Sequence, residues 1–451
     1  MTPEDLLLIG DRVVATALPG EAVECVVTWS TDTEVRVDDG EVEAFTSANA
    51  AGVGIRIVDD QRQGFAYCGS LGEDDIRAAL DDARDNASFA TPDPYVGIAE
   101  PDGVALPSLD LADERLASYP TASKLALALE LDACVRSLDP RVFGVESIDY
   151  TDSRAIGAVV TTAGIRTASV ESAASLVAYI LAGEGDDVTT GFGFSVGRHP
   201  DSLDVERCAA DAVARAVRMI GAAPMASERL TVIFDPWVTA QFIGIVADIF
   251  SADSVIKGRS LFADRLGESI AASVVTLIDD ASDPRHWGAT ESDAEGLATR
   301  RTDLISAGVA TAFLHDSRSS RMMGTASTGS AVRHGFMSTP SPGPQAVMLN
   351  PGDNSPEELL ALVGNGVLVQ EVSGMHSGVN PVSGDFSTGI EGIAIRDGEL
   401  AEPIREVAIG STLQRMLVNV VAVGNDVEFF PMEAAGVSLA IGDVMISGEE
   451  R

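Results

Sequence analysis

The chain has 451 residues, with 69 Asp+Glu against 30 Lys+Arg and a formal charge of −39. A surface of that sign repels phosphate backbones and anionic lipid headgroups, which excludes nucleic acid and membrane surfaces as partners. The apolar fraction of 45% is that of a globular protein, and the length fits two or three domains of about 150 residues.

The first apolar residues, in 4–16, recur at helical spacing with acids in the first turn, where the helix dipole favours them. The period then changes. Residues 22–30 and 33–45 are β-rich, and Asp38-Asp39-Gly40 supplies a hairpin turn. Residues 52–58 and 63–68 extend the same sheet, and a polar helix follows at 73–86. The Pro- and Asp-rich stretch 90–119 reads as a long surface connection before a helix at 121–138. Residues 142–182 alternate again, with turns at Gly164 and Gly183, and 204–220 is a strongly amphipathic helix.

A boundary falls near Gly221 to Glu228, giving an N-terminal domain over 1–222 and a C-terminal domain over 226–451. The second is denser in glycine and short strands, with helices expected at 236–250, 356–363 and 411–421. No βαβαβ rhythm is present. The expected class is therefore α+β: two mixed lobes, a sheet-and-helix one followed by a glycine-rich, strand-rich one.

Chemistry-bearing patterns are sparse. Cys25, Cys68, Cys134 and Cys208 form no CxxC pair and read as buried small apolar residues. The five histidines, His199, His286, His315, His334 and His376, share no helical turn, so no local metal-binding pair exists; each reads as a capping or surface residue. Gly-x-Ser-x-Gly does not occur, and the glycines of GVGIR at 52–56 sit in a strand pattern with no helix behind them. The N-terminus lacks the basic region of a signal peptide, and no apolar run approaches the ~18 residues of a membrane span. A cytoplasmic location is the expectation.

The densest segment is 373–398, SGMHSGVNPVSGDFSTGIEGIAIRDG, where glycines punctuate small polar residues. Such a segment suits two roles. It can present backbone N–H groups and Asp385 to a peptide or partner chain, or form a glycine-rich bulge that shapes a barrel rim.

This run, with the following EVAIGSTLQRMLVNVVAVGNDVE, resembles the C-terminal domain of the TldD/PmbA family. DAEGLATRRT at 293–302, SRSSRMMGTASTGSAVR at 317–333 and PGDNSPEELL at 351–360 extend the resemblance, and residues 34–70 fit the family's first domain. The resemblance implies a paired cytoplasmic metallopeptidase. One subunit type, TldD, carries zinc through an HExxxH helix and a later cysteine; the other, TldE or PmbA, lacks those ligands. Here the corresponding helix, 238–248, contains neither histidine nor glutamate, and no cysteine follows Cys208. The chain is thus similar to TldE. The resemblance implies no catalytic residue, metal or cofactor in this chain, zinc in a TldD-type partner, and peptide as substrate. It also implies a peptide groove or partner interface built from His376, Asn380, Ser383, Asp385, Asn425 and Asp426, residues whose other reading is turn stabilisation. Two alternatives stand beside this: a self-sufficient hydrolase with unfamiliar ligands such as Asp385 and His376, and an indirect regulator of a DNA enzyme, after the family's gyrase-modulator label.

Overall fold

The computed structural model describes residues 1–185 and 187–449. They form two compact units. The first combines Met1–Ile220 with two short segments from later in the chain, Glu291–Ala298 and Arg333–Pro340; the second holds the remaining described residues.

In the first unit, α1 (Pro3–Val14) is capped by Thr2 and Asp5, whose side chains exchange bonds with each other's backbone. Three antiparallel strands follow, β1 (Ala22–Asp38), β2 (Glu41–Asp59) and β3 (Arg62–Cys68), then α2 (Glu73–Phe89). The pattern repeats with α3 (Thr121–Leu138), β4 (Val142–Thr161), β5 (Arg166–Glu184), β6 (Asp187–Gly197) and α4 (Val205–Arg218). The six strands form one sheet in the order β3-β2-β1-β4-β5-β6, with β1 and β4 antiparallel at its centre. Segments 22–30 and 33–45 are thus not two strands. Residues 22–38 run unbroken, and the chain reverses at Asp39-Gly40, both at positive φ as a two-residue hairpin requires.

All four helices lie on one face of this sheet. At one end α1 and α2 cover Val23, Cys25, Val27, Ile55 and Ile156; at the other α3 and α4 cover Val35, Val37, Ile148, Tyr150 and Leu176. These β1 positions share parity, as a strand with a two-residue period demands. The Pro-rich stretch 90–119 sends Ala99 onto the opposite face, beside Val26, Val159, Ile165 and Leu297.

The second unit is built on β7 (Glu228–Phe234), followed by α5 (Pro236–Ile249). A further helix, α6 (Pro356–Val363), precedes β8 (Gly366–Ser373), β9 (Asp385–Arg396) and β10 (Glu399–Thr412); β11 (Val420–Val423) and β12 (Leu439–Ser447) end the unit. The strands run β10-β9-β8-β7-β12-β11, and β10 also pairs with β12 through Ala408–Gly410, so five of them close a ring. A helix that is apolar around most of its circumference needs burial on most sides. Accordingly α5 buries eight residues from Val238 to Ile249, and Phe242 packs edge-on to Phe234 and Phe386 at ring distances of 5.8 and 6.1 Å.

One expected helix is corrected here. Residues 411–421 hold only a six-residue helix, Leu413–Val418, after which β11 begins. The valine-rich run Val420-Val421-Ala422-Val423 gains a ladder with β12, pairing Val420 with Ile441 and Ala422 with Ala440. Tertiary pairing overrides the local helical spacing. The strand-rich mixed α/β class is as expected.

Candidate functional site

The sequence-predicted residues fall into two groups, both in the second unit. The first is the turn between β8 and β9. Gly374, at φ 77, opens a four-residue helix, Met375–Gly378, that carries His376 exposed to solvent. Asn380 then folds the chain on itself: its Oδ1 accepts the N–H groups of Val382 and Ser383 at 2.9 and 3.2 Å. Ser383 Oγ donates to Asp385 Oδ2 at 2.7 Å, and the Asn380 N–H donates to the Asp385 carbonyl. Asn380, Ser383 and Asp385 therefore stand together on an exposed turn, with His376 on the adjoining helical turn.

The second group braces another loop. Asp426 accepts both the N–H and the hydroxyl of Ser438, at 3.0 and 2.6 Å, while Asn425 donates its side-chain amide to the Asp353 carbonyl and its backbone N–H to the Asn354 carbonyl. No bond joins this pair to the 376–385 turn among the described residues. The polar groups of Asp426 are thus committed to its loop, whereas His376 and Asp385 reach solvent.

Helix α5 is the element that the family resemblance assigns to the metal. Its polar side chains are Thr239, Gln241 and Asp248. Asp248 is exposed on the helix, and partial desolvation with the Glu433 charge beside it pushes its carboxyl up to about 6. One carboxylate with a threonine and a glutamine does not fit a zinc ion, which takes three or four Cys, His or carboxylate ligands. Among the described residues, no three His, Cys, Asp or Glu side chains converge as a metal site. Two histidines expected at caps or on the surface are instead buried. His286 packs edge-on to Phe429 at 5.0 Å, and burial lowers the pKa of both His286 and His315. His199 does cap a turn, its Nδ1 accepting the Asp201 N–H.

Sequence reasoning missed a buried charge cluster in the first unit. Glu24 and Arg56 are direct cross-strand partners on β1 and β2. Their side chains are 1% and 4% exposed and meet through bonds of 2.6 and 3.2 Å. Arg333 adds a second guanidinium to Glu24 at 2.7 Å, and Glu295 lies 3.5 Å from Arg56. Burial raises the Glu24 carboxyl, but the two guanidiniums outweigh it and hold the pKa down at about 2. The available signal was a single charge inside each of two apolar strands, AVECVV and GVGIRIV. Such charges persist inside a sheet only when paired.

Three family models match in order along the chain: PmbA/TldA metallopeptidase domain 1 at residues 23–87, the central domain at 114–220, and the C-terminal domain at 227–448. The chain belongs to the TldD/PmbA family. Metalloprotease PmbA of Escherichia coli O157:H7 is 26% identical over 97% of this chain and 96% of its own length. A metalloprotease TldD homolog of Buchnera aphidicola is 22% identical over 84% and 80%. Among solved structures, a candidate modulator of a DNA gyrase from Thermotoga maritima is 25% identical with a TM-score of 0.89, covering 99% of this chain and all of its own. TldE from Thermococcus kodakarensis shares the fold at a TM-score of 0.87 and 24% identity, covering 99% of both chains. In the family's terms, its first and central domains are the two halves of the six-stranded sheet, and its C-terminal domain contains the ring around α5.

Proposed function

We propose that this chain is a TldE-type subunit, non-catalytic on its own, that completes the peptide chamber of a TldD-type zinc metallopeptidase in the cytoplasm. The observation that carries the reading is the make-up of α5. A family whose relatives are named metalloproteases is represented here by a helix with no histidine and a single carboxylate, Asp248. Zinc, its activated water and the general base then belong to the partner, and this chain needs no cofactor. Its contribution is recognition. The exposed turn holding His376, Asn380, Ser383 and Asp385 is rigid through its own bonds yet leaves acceptors facing outward, which suits an extended peptide or a partner loop. Asn425 and Asp426 hold a second loop in shape.

Co-purification with a homologue bearing HExxxH tests the reading, with peptidase activity expected only when both chains are present. Chelator-insensitive cleavage by this chain alone would overturn it. Asp385→Ala in the assembled pair is expected to weaken activity or assembly; if neither changes, the turn is scaffold.

A further inference from the structure

The sheet face opposite the four helices carries a recess that none of the proposed roles uses. Its floor follows from strand register. Val26, Val159 and Thr167 lie in one cross-strand row of β1, β4 and β5, and Thr28, Gly157 and Ser169 lie in the next row on the same face. The roof is Ser292–Ala294 with Arg333 and Gly335, all within the first unit. Gly157, at the centre of the floor, has no side chain, and this opens the recess. A Cβ there would meet only Ser169 Oγ, at 3.7 Å. A glycine inside a strand with free space above it marks a place where a ligand or another backbone comes close. The volume is about 180 Å³, which compares with the ~150 Å³ cavity that admits a benzene-sized ligand.

Two residues of this lining each carry a polar atom that is shielded from water and has no hydrogen-bond partner, Arg333 Nε and Thr167 Oγ1, which lie just behind the recess surface. The Arg333 side chain is 7% exposed and tethered through Nη2 to Glu24. An unsatisfied donor in a folded protein costs stability and points to an occupant that satisfies it. Charge selects the occupant. Arg56 and Arg333 are already matched by Glu24 and Glu295, and Asp293 Oδ1 accepts the N–H groups of Glu295 and Leu297. No surplus positive charge remains to hold an anion. The rest of the lining is uncharged: Val26, Val159 and three alanines beside the glycines and the hydroxyls of Thr28, Ser169 and Ser292.

We infer that this recess binds a neutral peptide group with a small apolar side chain, its carbonyl oxygen accepting from Arg333 and Thr167 after a small adjustment of those side chains. The site lies outside the turns proposed above and shares with that reading only the choice of a peptide as ligand.

The test is ligand-observed saturation-transfer NMR on the full chain, with N-acetyl-L-alanine N-methylamide as probe and N-acetylalanine, which is anionic, as comparison. The neutral amide is expected to bind saturably in the millimolar range and the anion more weakly. Gly157→Val projects its side chain from the centre of the floor into the recess and is expected to abolish binding while the thermal midpoint stays or rises. Thr167→Val is expected to weaken binding about fivefold. No saturable binding to the unmodified chain overturns the inference, as does binding that survives Gly157→Val or a preference for the anion. The assay needs no partner chain, so its failure leaves the subunit reading intact. Conversely, a failed co-purification leaves this site untouched.

Discussion

Glu24 and Arg56 oppose each other across β1 and β2, and Arg333, from a segment more than three hundred residues away from Glu24 in the chain, adds a second guanidinium whose charge Glu295 offsets. Removing one member of a buried ion pair leaves the others uncompensated in a medium that solvates charge poorly. Glu24→Gln is therefore expected to cost about 3–5 kcal/mol in chemical unfolding at neutral pH. The Glu24 carboxyl sits at about 2 in the folded protein against 4.5 ordinarily, so its contribution is present above the unfolded value. It is lost as pH falls from about 4.5 through 2. A pH series should show a shallower acid limb for Glu24→Gln than for the unmodified chain.

Asp279 titrates with the opposite sign. Burial pushes its carboxyl up to about 6, against the pull of the Ala346 and Gln345 N–H groups, which donate to its Oδ1 at 2.7 and 2.9 Å. Stability from this group is full below the unfolded value of 3.8 and falls as pH rises through 6. Asp279→Asn keeps an acceptor for both amides and carries no charge. It is expected to flatten the stability profile between pH 4 and 6 and to gain about 1 kcal/mol at pH 7. A loss at pH 7 would show that the ionised form is the one the fold prefers.

Gly52 and Gly54 of β2 seat the segment 333–340. A Cβ at Gly52 would strike the Phe336 ring, whereas one at Gly54 would strike the Phe336 carbonyl oxygen. A ring swings aside more readily than backbone. Gly54→Ala is expected to cost about 1–3 kcal/mol and to speed amide exchange across 333–340, with Gly52→Ala milder on both measures. Equal effects would mean that the segment moves as freely as the side chain.

Asn380→Ala removes the acceptor shared by the Val382 and Ser383 amides. Because the turn is exposed, global stability is expected to fall by less than about 1 kcal/mol. The informative readout is faster exchange confined to 381–385. Unchanged exchange would show that the Asn380 and Gly384 backbone bonds hold the turn unaided.

Much of the fold was legible wherever local chemistry decides it. Asp39-Gly40 announces a two-residue hairpin because Gly accepts positive φ and Asp tolerates it, and the pair occurs in that conformation. The amphipathic spacing at 204–220 gave α4 to within two residues at each end. Illegible parts depend on distant sequence. Val420 to Val423 becomes strand only because Leu439–Ile441 is there to pair with it. The glycines of GVGIR bore no phosphate signal, and their use emerges only when Phe336 lies over them. Of the candidate site, Asn380 was readable as a turn former. The Glu24–Arg56–Arg333 cluster was not, since its members lie on three separated stretches that only the folded chain brings together.

The strand order β3-β2-β1-β4-β5-β6 reads the same from either end, each half being three antiparallel strands followed by a helix. The seam between the halves is the β1–β4 ladder, running from Glu24–Thr161 to Val37–Ile148. The family's first and central domains are thus separable in sequence but not in hydrogen bonding. Cut apart, either half would expose a long bare edge that includes Val35 or Ile148 and whose natural partner runs antiparallel to it. A second copy of the same half offers that geometry, so the excised pieces would be expected to close their seams as twofold dimers. The intact chain avoids this by carrying both halves on one polypeptide.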